Sequence, residues 1–165
     1  MKIKPDMQPD MVPVTNSPIT YALRRDWQIS WNGLTYAIPA GFECDGMSIP
    51  QVLWSVAGLS HDGVQRAAAL VHDWCYAHKG KIPGCDRTLS RAECDNVLRD
   101  MCIAAGIPQV QAIAIHEAVD KFGWIFWQRE HLAAGLNGPH VTYREIESFA
   151  SHFNFRRIDK PRQQS

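Results

Sequence analysis

The chain has 165 residues, and its 17 basic residues balance its 17 acidic ones. This length is enough to bury a core within one domain, and the zero formal net charge provides no overall attraction to nucleic acid. No apolar run is long enough to span a bilayer, and the polar first residues do not have the apolar core of a signal peptide. We therefore expect a single-domain protein with no nucleic-acid partner, no signal peptide and no transmembrane segment.

The first quarter of the chain predicts an arm followed by a β-hairpin. Residues 1–17 contain recurrent prolines and are typical of an extended arm. Residues 20–42 predict the hairpin, because apolar and polar residues alternate over 27–31 and Asn32-Gly33 is the favoured two-residue turn. The following loop, GFECDGMSIP, is rich in glycine and in oxygen donors.

The remainder predicts helices. Asp62 is expected to cap a first helix over about residues 62–78, where apolar residues recur at helical spacing. Ser90 and Glu93 have the spacing of a capping box that opens a second helix. A longer third helix is predicted over about residues 108–132. The fold class is therefore α+β, with an N-terminal β-hairpin packed on a mainly helical body.

Three regions follow from these elements. We predict an extended N-terminal arm over residues 1–17, a single globular domain over 18–153, and a basic flexible tail over 154–165. The tail is assigned by composition, because it carries several basic residues and few apolar ones.

The segment HDWCY, residues 72–76, has the strongest chemical character in the sequence. Adjacent positions of a helix differ in direction by about 100°, so His72 and Asp73 cannot face the same neighbour. Tyr76 lies one turn beyond His72 and shares its face. A second carboxylate, Asp95, follows on the next predicted helix. The pattern favours a histidine–aspartate pair with a separate carboxylate beside it.

HDWCY together with Glu93-Cys94-Asp95 resembles the helix motifs of secreted phospholipase A2, over residues 44–102. The resemblance implies a phospholipase A2-like helical body and a hydrolase acting on glycerophospholipid esters at a phospholipid or membrane surface. In that case His72 would be the general base that deprotonates water, and Asp95 would orient its imidazole. Tyr76 would form a hydrogen bond with Asp95.

The same resemblance implies a calcium cofactor. Asp73 would bind Ca²⁺, a cation that prefers carboxylate and carbonyl oxygens. Asp45, with backbone carbonyls around Gly46 and Met47, would complete the shell of the ion. The ion would then polarise the ester carbonyl. These four residues are the predicted metal site.

Cys75 and Cys94 would match the disulfide that joins the two catalytic helices in that family. The five cysteines of the chain are an odd number and do not complete a disulfide framework. A zinc site is an alternative, because zinc uses ligands of the types present at Cys75, Cys85, Cys94 and His72. No CxxC or HxxxH spacing supports this alternative.

GFECDGMSIP and AALVHDWCY also resemble a widespread domain family of unknown function in phages and prophages, over about residues 36–130. This second resemblance implies synthesis in the cytoplasm of a bacterial host, with or without incorporation into the virion. It supports an alternative function, a non-catalytic tail, baseplate or accessory protein that binds other virion proteins. The arm and the tail suit this alternative, because such ends often order only against a partner. A water-accessible His72 would favour the hydrolase, whereas a sealed His72 would favour the interaction protein.

Two features of the third helix have simpler explanations than chemistry. His116 and Asp120 are one turn apart and are expected to make a solvated contact on the helix surface. Trp124, Phe126 and Trp127 have the spacing of a membrane-facing patch, but aromatic residues so placed usually belong to the core.

Overall fold

The computed structural model describes residues 1–15, 20–44, 63–83 and 85–128. Within these ranges the protein has the α+β class that the sequence predicts, with antiparallel strands preceding the helices. The strands are β1 (Met11–Pro13), β2 (Tyr21–Leu23), β3 (Trp27–Trp31), β4 (Leu34–Ile38) and β5 (Glu43–Cys44). The helices are α1 (Arg66–Ala77), α2 (Arg91–Ala104), α3 (Gln109–Phe122) and α4 (Trp124–Trp127).

The predicted hairpin is formed by β3 and β4. The two strands pair antiparallel, with Trp27 opposite Ile38 and Trp31 opposite Leu34. The turn residues Asn32 and Gly33 both have positive φ, 49° and 78°. Such a turn is favoured because its twist matches that of the flanking strands. Alternate hairpin residues point inward and are buried, as the period of two predicts.

A second sheet has three antiparallel strands in the order β1-β2-β5. Its first strand belongs to the N-terminal segment that the sequence predicts to be an extended arm. This segment lies against the helices: Ile3 is buried, and its backbone N–H donates to the carbonyl of Ala104 at 2.9 Å. Residues 1–15 therefore contact the body of the same chain.

The N-terminus of α1 is capped from the N-terminal segment. Gln8 accepts a hydrogen bond from the N–H of Ala67 at 2.9 Å, and its amide donates to the carbonyl of Val64 at 2.6 Å. The N-cap position of α1 is Gln65, so the prediction that Asp62 caps this helix is wrong. The distant residue Gln8 thus satisfies one of the backbone N–H groups that are left free at the start of this helix.

The second helix begins as the sequence predicts. Ser90 accepts a hydrogen bond from the N–H of Glu93, and the Glu93 carboxylate accepts one from the N–H of Ser90. At the other end Gly106 has a φ of 100°, and its N–H donates to the carbonyl of Ile103 at 3.0 Å. This ending leaves few backbone carbonyls unpaired.

The predicted third helix is divided at Gly123 into α3 and α4, and the residues from 129 onward lie outside the described ranges. Helix α2 packs against α1 on one side and α3 on the other. The core between the helices is nearly solvent-free and includes Leu70, Val71, Leu98, Met101, Ile115, Val119 and Phe122. Each such side chain contributes roughly 1.5–3 kcal/mol by its burial. Across the described ranges, no helix combines the length and apolarity needed to cross a membrane.

Candidate catalytic site

The seam between α1 and α2 brings three of the predicted site residues together. The distance between His72 Nε2 and Asp95 Oδ1 is 3.0 Å, and both side chains are fully buried. Tyr76 donates its hydroxyl proton to the same Asp95 oxygen at 2.6 Å. One carboxylate oxygen thus accepts from both residues, and their roles in catalysis remain predictions.

Local helix geometry explains this arrangement. His72 and Tyr76 are one turn apart on α1, and their ring centroids are 4.1 Å apart. Asp95 lies five residues after the N-cap Ser90, whose capping box fixes where α2 begins. The start of α2 therefore sets which of its residues faces α1.

The second oxygen of Asp95 is held by a residue that lies outside the sequence motifs HDWCY and Glu93-Cys94-Asp95. Arg91 Nη1 donates to Asp95 Oδ2 at 2.9 Å and to the carbonyl of Val119 at 3.1 Å. Arg91 Nη2 donates to Asp120 Oδ1 at 3.2 Å. The i, i+4 spacing of Arg91 and Asp95 was visible in the sequence as a helical ion pair. Asp120, which the sequence assigns to a solvated contact with His116, pairs with Arg91.

The other ring nitrogen of His72, Nδ1, has different surroundings from Nε2. Nδ1 is buried and makes no hydrogen bond to any residue in the described ranges. It is 3.8 Å from Asp73 Oδ1, which is too long for a hydrogen bond. Because Nε2 faces a carboxylate, which can only accept a hydrogen bond, Nε2 carries the ring proton when the imidazole is neutral. Nδ1 then carries the lone pair.

The pKa of His72 is raised above its ordinary value of 6.5. Burial alone lowers this pKa, but the carboxylates of Asp73 and Asp95 outweigh burial. Burial, followed by the charge of Asp95, raises the pKa of Tyr76 well above its usual range. Tyr76 therefore keeps its proton and acts as a donor to the carboxylate at any physiological pH.

The junction between α3 and α4 closes the site beside Tyr76. The Trp127 ring meets the Tyr76 ring edge to face, with centroids 5.1 Å apart, and Trp127 packs against the core. A methyl group at Gly123 would overlap the hydroxyl of Tyr76 and the carbonyl of Val119. Glycine at this junction therefore permits the close approach of Tyr76.

Only part of the predicted calcium site can be placed. Asp73 is a buried residue of α1, whereas Asp45, Gly46 and Met47 lie outside the described residues. Within the described ranges, no group of three or more His, Cys, Asp or Glu side chains is arranged to hold a metal ion. All four residues of the zinc alternative lie in these ranges, and they are not arranged as a metal site. For calcium, the described donor set is the single carboxylate of Asp73.

Cys75 and Cys94 are neighbours across the α1–α2 seam, and both are buried free thiols. A hydrogen bond with Cys75, followed by burial, raises the pKa of the Cys94 thiol. The two thiols are therefore adjacent, but the disulfide that the phospholipase resemblance implies is not formed in this structure. Buried thiols of this kind behave as small apolar side chains.

Residues 21–119, more than half of the chain, match the family described as "Protein of unknown function (DUF1353)". The chain belongs to this family, whose matched range contains the whole His72–Asp95–Tyr76 arrangement.

A 43-residue stretch is 42% identical to the "Uncharacterized protein y4jT" of Sinorhizobium fredii (strain NBRC 101917 / NGR234). That match covers 26% of this chain and 13% of y4jT, so the chain spans a small fraction of the curated relative. No solved structure matches the chain.

Proposed function

We propose that this protein is a phage-encoded, calcium-dependent hydrolase of the phospholipase A2 type, acting on glycerophospholipid esters. The observation that carries the proposal is the state of the His72 ring. One nitrogen is hydrogen bonded to a buried carboxylate, and the other is not hydrogen bonded to any described residue. A general base needs this combination of a fixed ring and a free lone pair.

The proposed reaction uses water as the nucleophile. His72 Nδ1 would accept a proton from a water molecule that attacks the ester carbonyl, and the ring would become an imidazolium. Asp95 would stabilise that charge through Nε2, as the aspartate of a catalytic triad does. Tyr76 would hold the accepting oxygen of Asp95 in place at 2.6 Å. The imidazolium would return the proton to the leaving alkoxide, which restores the base.

Calcium belongs to this proposal through Asp73, whose carboxylate is next to the ring without occupying its lone pair. A bound calcium ion would supply electrophilic activation of the ester carbonyl. Asp45 and the carbonyls around Gly46 and Met47 complete the proposed donor set.

A second candidate function rests on the burial of His72, whose side chain has an exposed fraction of 0%. A sealed histidine favours a non-catalytic virion or accessory protein that retains the helical scaffold for binding other proteins. In that case the His72–Asp95 pair would be a buried polar contact of the core. The two candidates predict opposite outcomes in one assay.

The assay measures fatty acid released from phospholipid vesicles by wild type, His72→Gln and Asp73→Asn, with millimolar Ca²⁺ or with a chelator. We expect wild type to release fatty acid when Ca²⁺ is present and not when the chelator is present. Neither variant should release fatty acid under either condition. His116→Gln, which changes a partly exposed histidine of α3, is the matched control and should retain activity.

Thermal unfolding of the same samples reports calcium binding separately. An ion that binds the folded state raises the melting temperature by mass action. We expect Ca²⁺ to raise the melting temperature of wild type and not that of Asp73→Asn. If Ca²⁺ does not raise the melting temperature and fatty-acid release does not depend on His72, the result favours the interaction protein.

A further inference from the structure

The carboxylate of Asp95 is shared between two sides of the site. Its Oδ1 faces His72 and Tyr76, and its Oδ2 faces Arg91. The terminal torsion of an aspartate is broad and roughly two-fold, so nothing within the side chain itself fixes this orientation. Tyr76 holds Oδ1 directly, and the partner of Oδ2 fixes the rotation of the carboxylate from its other side.

We propose that Arg91 is a positioning residue that fixes the Asp95 carboxylate against His72, an inference that rests on the proposed hydrolase function. Arg91 touches neither His72 nor the position of the attacking water in the contacts described above. It acts through Asp95, by a charge-assisted hydrogen bond of 2.9 Å to an oxygen that has no exposure to solvent.

Arg91 can do this because it is itself anchored on a third helix. Its guanidinium donates to the carbonyl of Val119 and to the carboxylate of Asp120, both on α3. The planar group thus links α2 to α3 through donors of fixed relative direction. Only 24% of the Arg91 side chain is exposed, whereas Asp120 is 59% exposed. Arg91 is therefore the inner member of the pair and Asp120 its outer anchor.

The burial of Asp95 adds a second reason for Arg91. A carboxylate removed from water is costly unless a positive charge and hydrogen bonds compensate it. Tyr76 is a neutral donor, so Arg91 is the permanent positive charge on Asp95 within the described residues. A lysine at this position would keep the charge but lose the two-direction geometry that joins Asp95 to α3.

The test observes the hydrogen bond between His72 and Asp95 directly. An imidazole N–H bonded to a buried carboxylate gives a low-field proton resonance, which is assigned to His72 by its loss in His72→Gln. The resonance is recorded at one fixed pH in wild type, Arg91→Met, Arg91→Lys and Arg99→Met. Arg99 is the matched control, because it lies on the same helix and bonds to Asn96 and Asp100.

We expect the resonance to move upfield or to disappear through solvent exchange in Arg91→Met, to be partly retained in Arg91→Lys, and to be unchanged in Arg99→Met. If Arg91→Met does not fold, Asp120→Asn takes its place, and a smaller change in the same direction is expected. An unchanged resonance in a folded Arg91→Met, or in Asp120→Asn when Arg91→Met does not fold, would overturn the proposal.

Lipid hydrolysis separates this inference from the proposed function. In Arg91→Met we expect kcat to fall by about 100-fold with little change in KM, since a misplaced catalytic group costs about that much. A resonance that depends on Arg91 in a wild type without lipid hydrolysis would sustain the positioning role and reject the hydrolase. Full kcat in a folded Arg91→Met would reject the positioning role alone.

Discussion

Asp95 is the residue on which the site depends. Its carboxylate is completely buried and contacts donors on two helices, Tyr76 and His72 on α1 and Arg91 on its own helix. A buried carboxylate with three donors is stable, whereas removal of one donor leaves a lone pair unsatisfied in a dry environment. The hydroxyl of Tyr76 is therefore expected to matter more for stability than its size indicates.

Tyr76→Phe tests this expectation against a matched tyrosine. We expect it to lower the free energy of unfolding by about 1–3 kcal/mol, because it removes a hydrogen bond to a buried carboxylate. Tyr36 is also buried, but its hydroxyl makes no hydrogen bond to any residue in the described ranges. Tyr36→Phe should consequently be neutral or stabilising in the same urea titration. Equal losses in the two variants would contradict the assigned role of Tyr76.

The helix elements show which parts of the site a sequence can reveal. The shared face of His72 and Tyr76 follows from helical spacing, and a capping box fixes the start of α2. These two rules are local, whereas the contact of both residues with Asp95 was expected from the resemblance to phospholipase A2. The structure places all three side chains together. The hairpin is equally local, because Asn32-Gly33 determines its turn.

Contacts between distant segments explain what the sequence pattern missed. Gln8 caps α1 across 59 positions of the chain, so a helix start placed at Asp62 was wrong. Asp120 reaches Arg91 across 29 positions, so the short-range spacing with His116 gave no indication of that ion pair. Helical periodicity reports which face is apolar, and it carries no information about a partner on another helix.

The break between α3 and α4 gives a prediction at the same scale. Gly123→Ala should displace the Tyr76 hydroxyl, because the added methyl overlaps it. We expect a loss of about 1–3 kcal/mol in the free energy of unfolding, as for other overpacked sites. The loss in the double variant Gly123→Ala, Tyr76→Phe should be smaller than the sum of the losses in the two single variants. The reason is that the double variant has no Tyr76 hydroxyl for the added methyl to overlap. Strict additivity in urea titrations would show that Gly123 does not accommodate Tyr76.

At the scale of the whole molecule, the N-terminal segment bears on the choice between the two candidate functions. Residues 1–15 contact helices of the same chain through Ile3 and Gln8. An arm that has a partner within its own chain gives no separate support to a virion partner. The burial of His72 is then the observation that favours the interaction protein, and the geometry of its ring favours the hydrolase.

The pH dependence of kcat/KM for lipid hydrolysis distinguishes these possibilities most directly. A general base must be unprotonated, so kcat/KM should rise with pH as the His72 ring loses its proton. The stability contributed by protonated His72 is fully present below pH 6.5 and is lost as pH rises through the folded pKa, so folding is followed at each pH. His116→Gln should give the same profile as wild type. A flat or falling profile, or release that persists in folded His72→Gln, would contradict the assignment of His72 as the base.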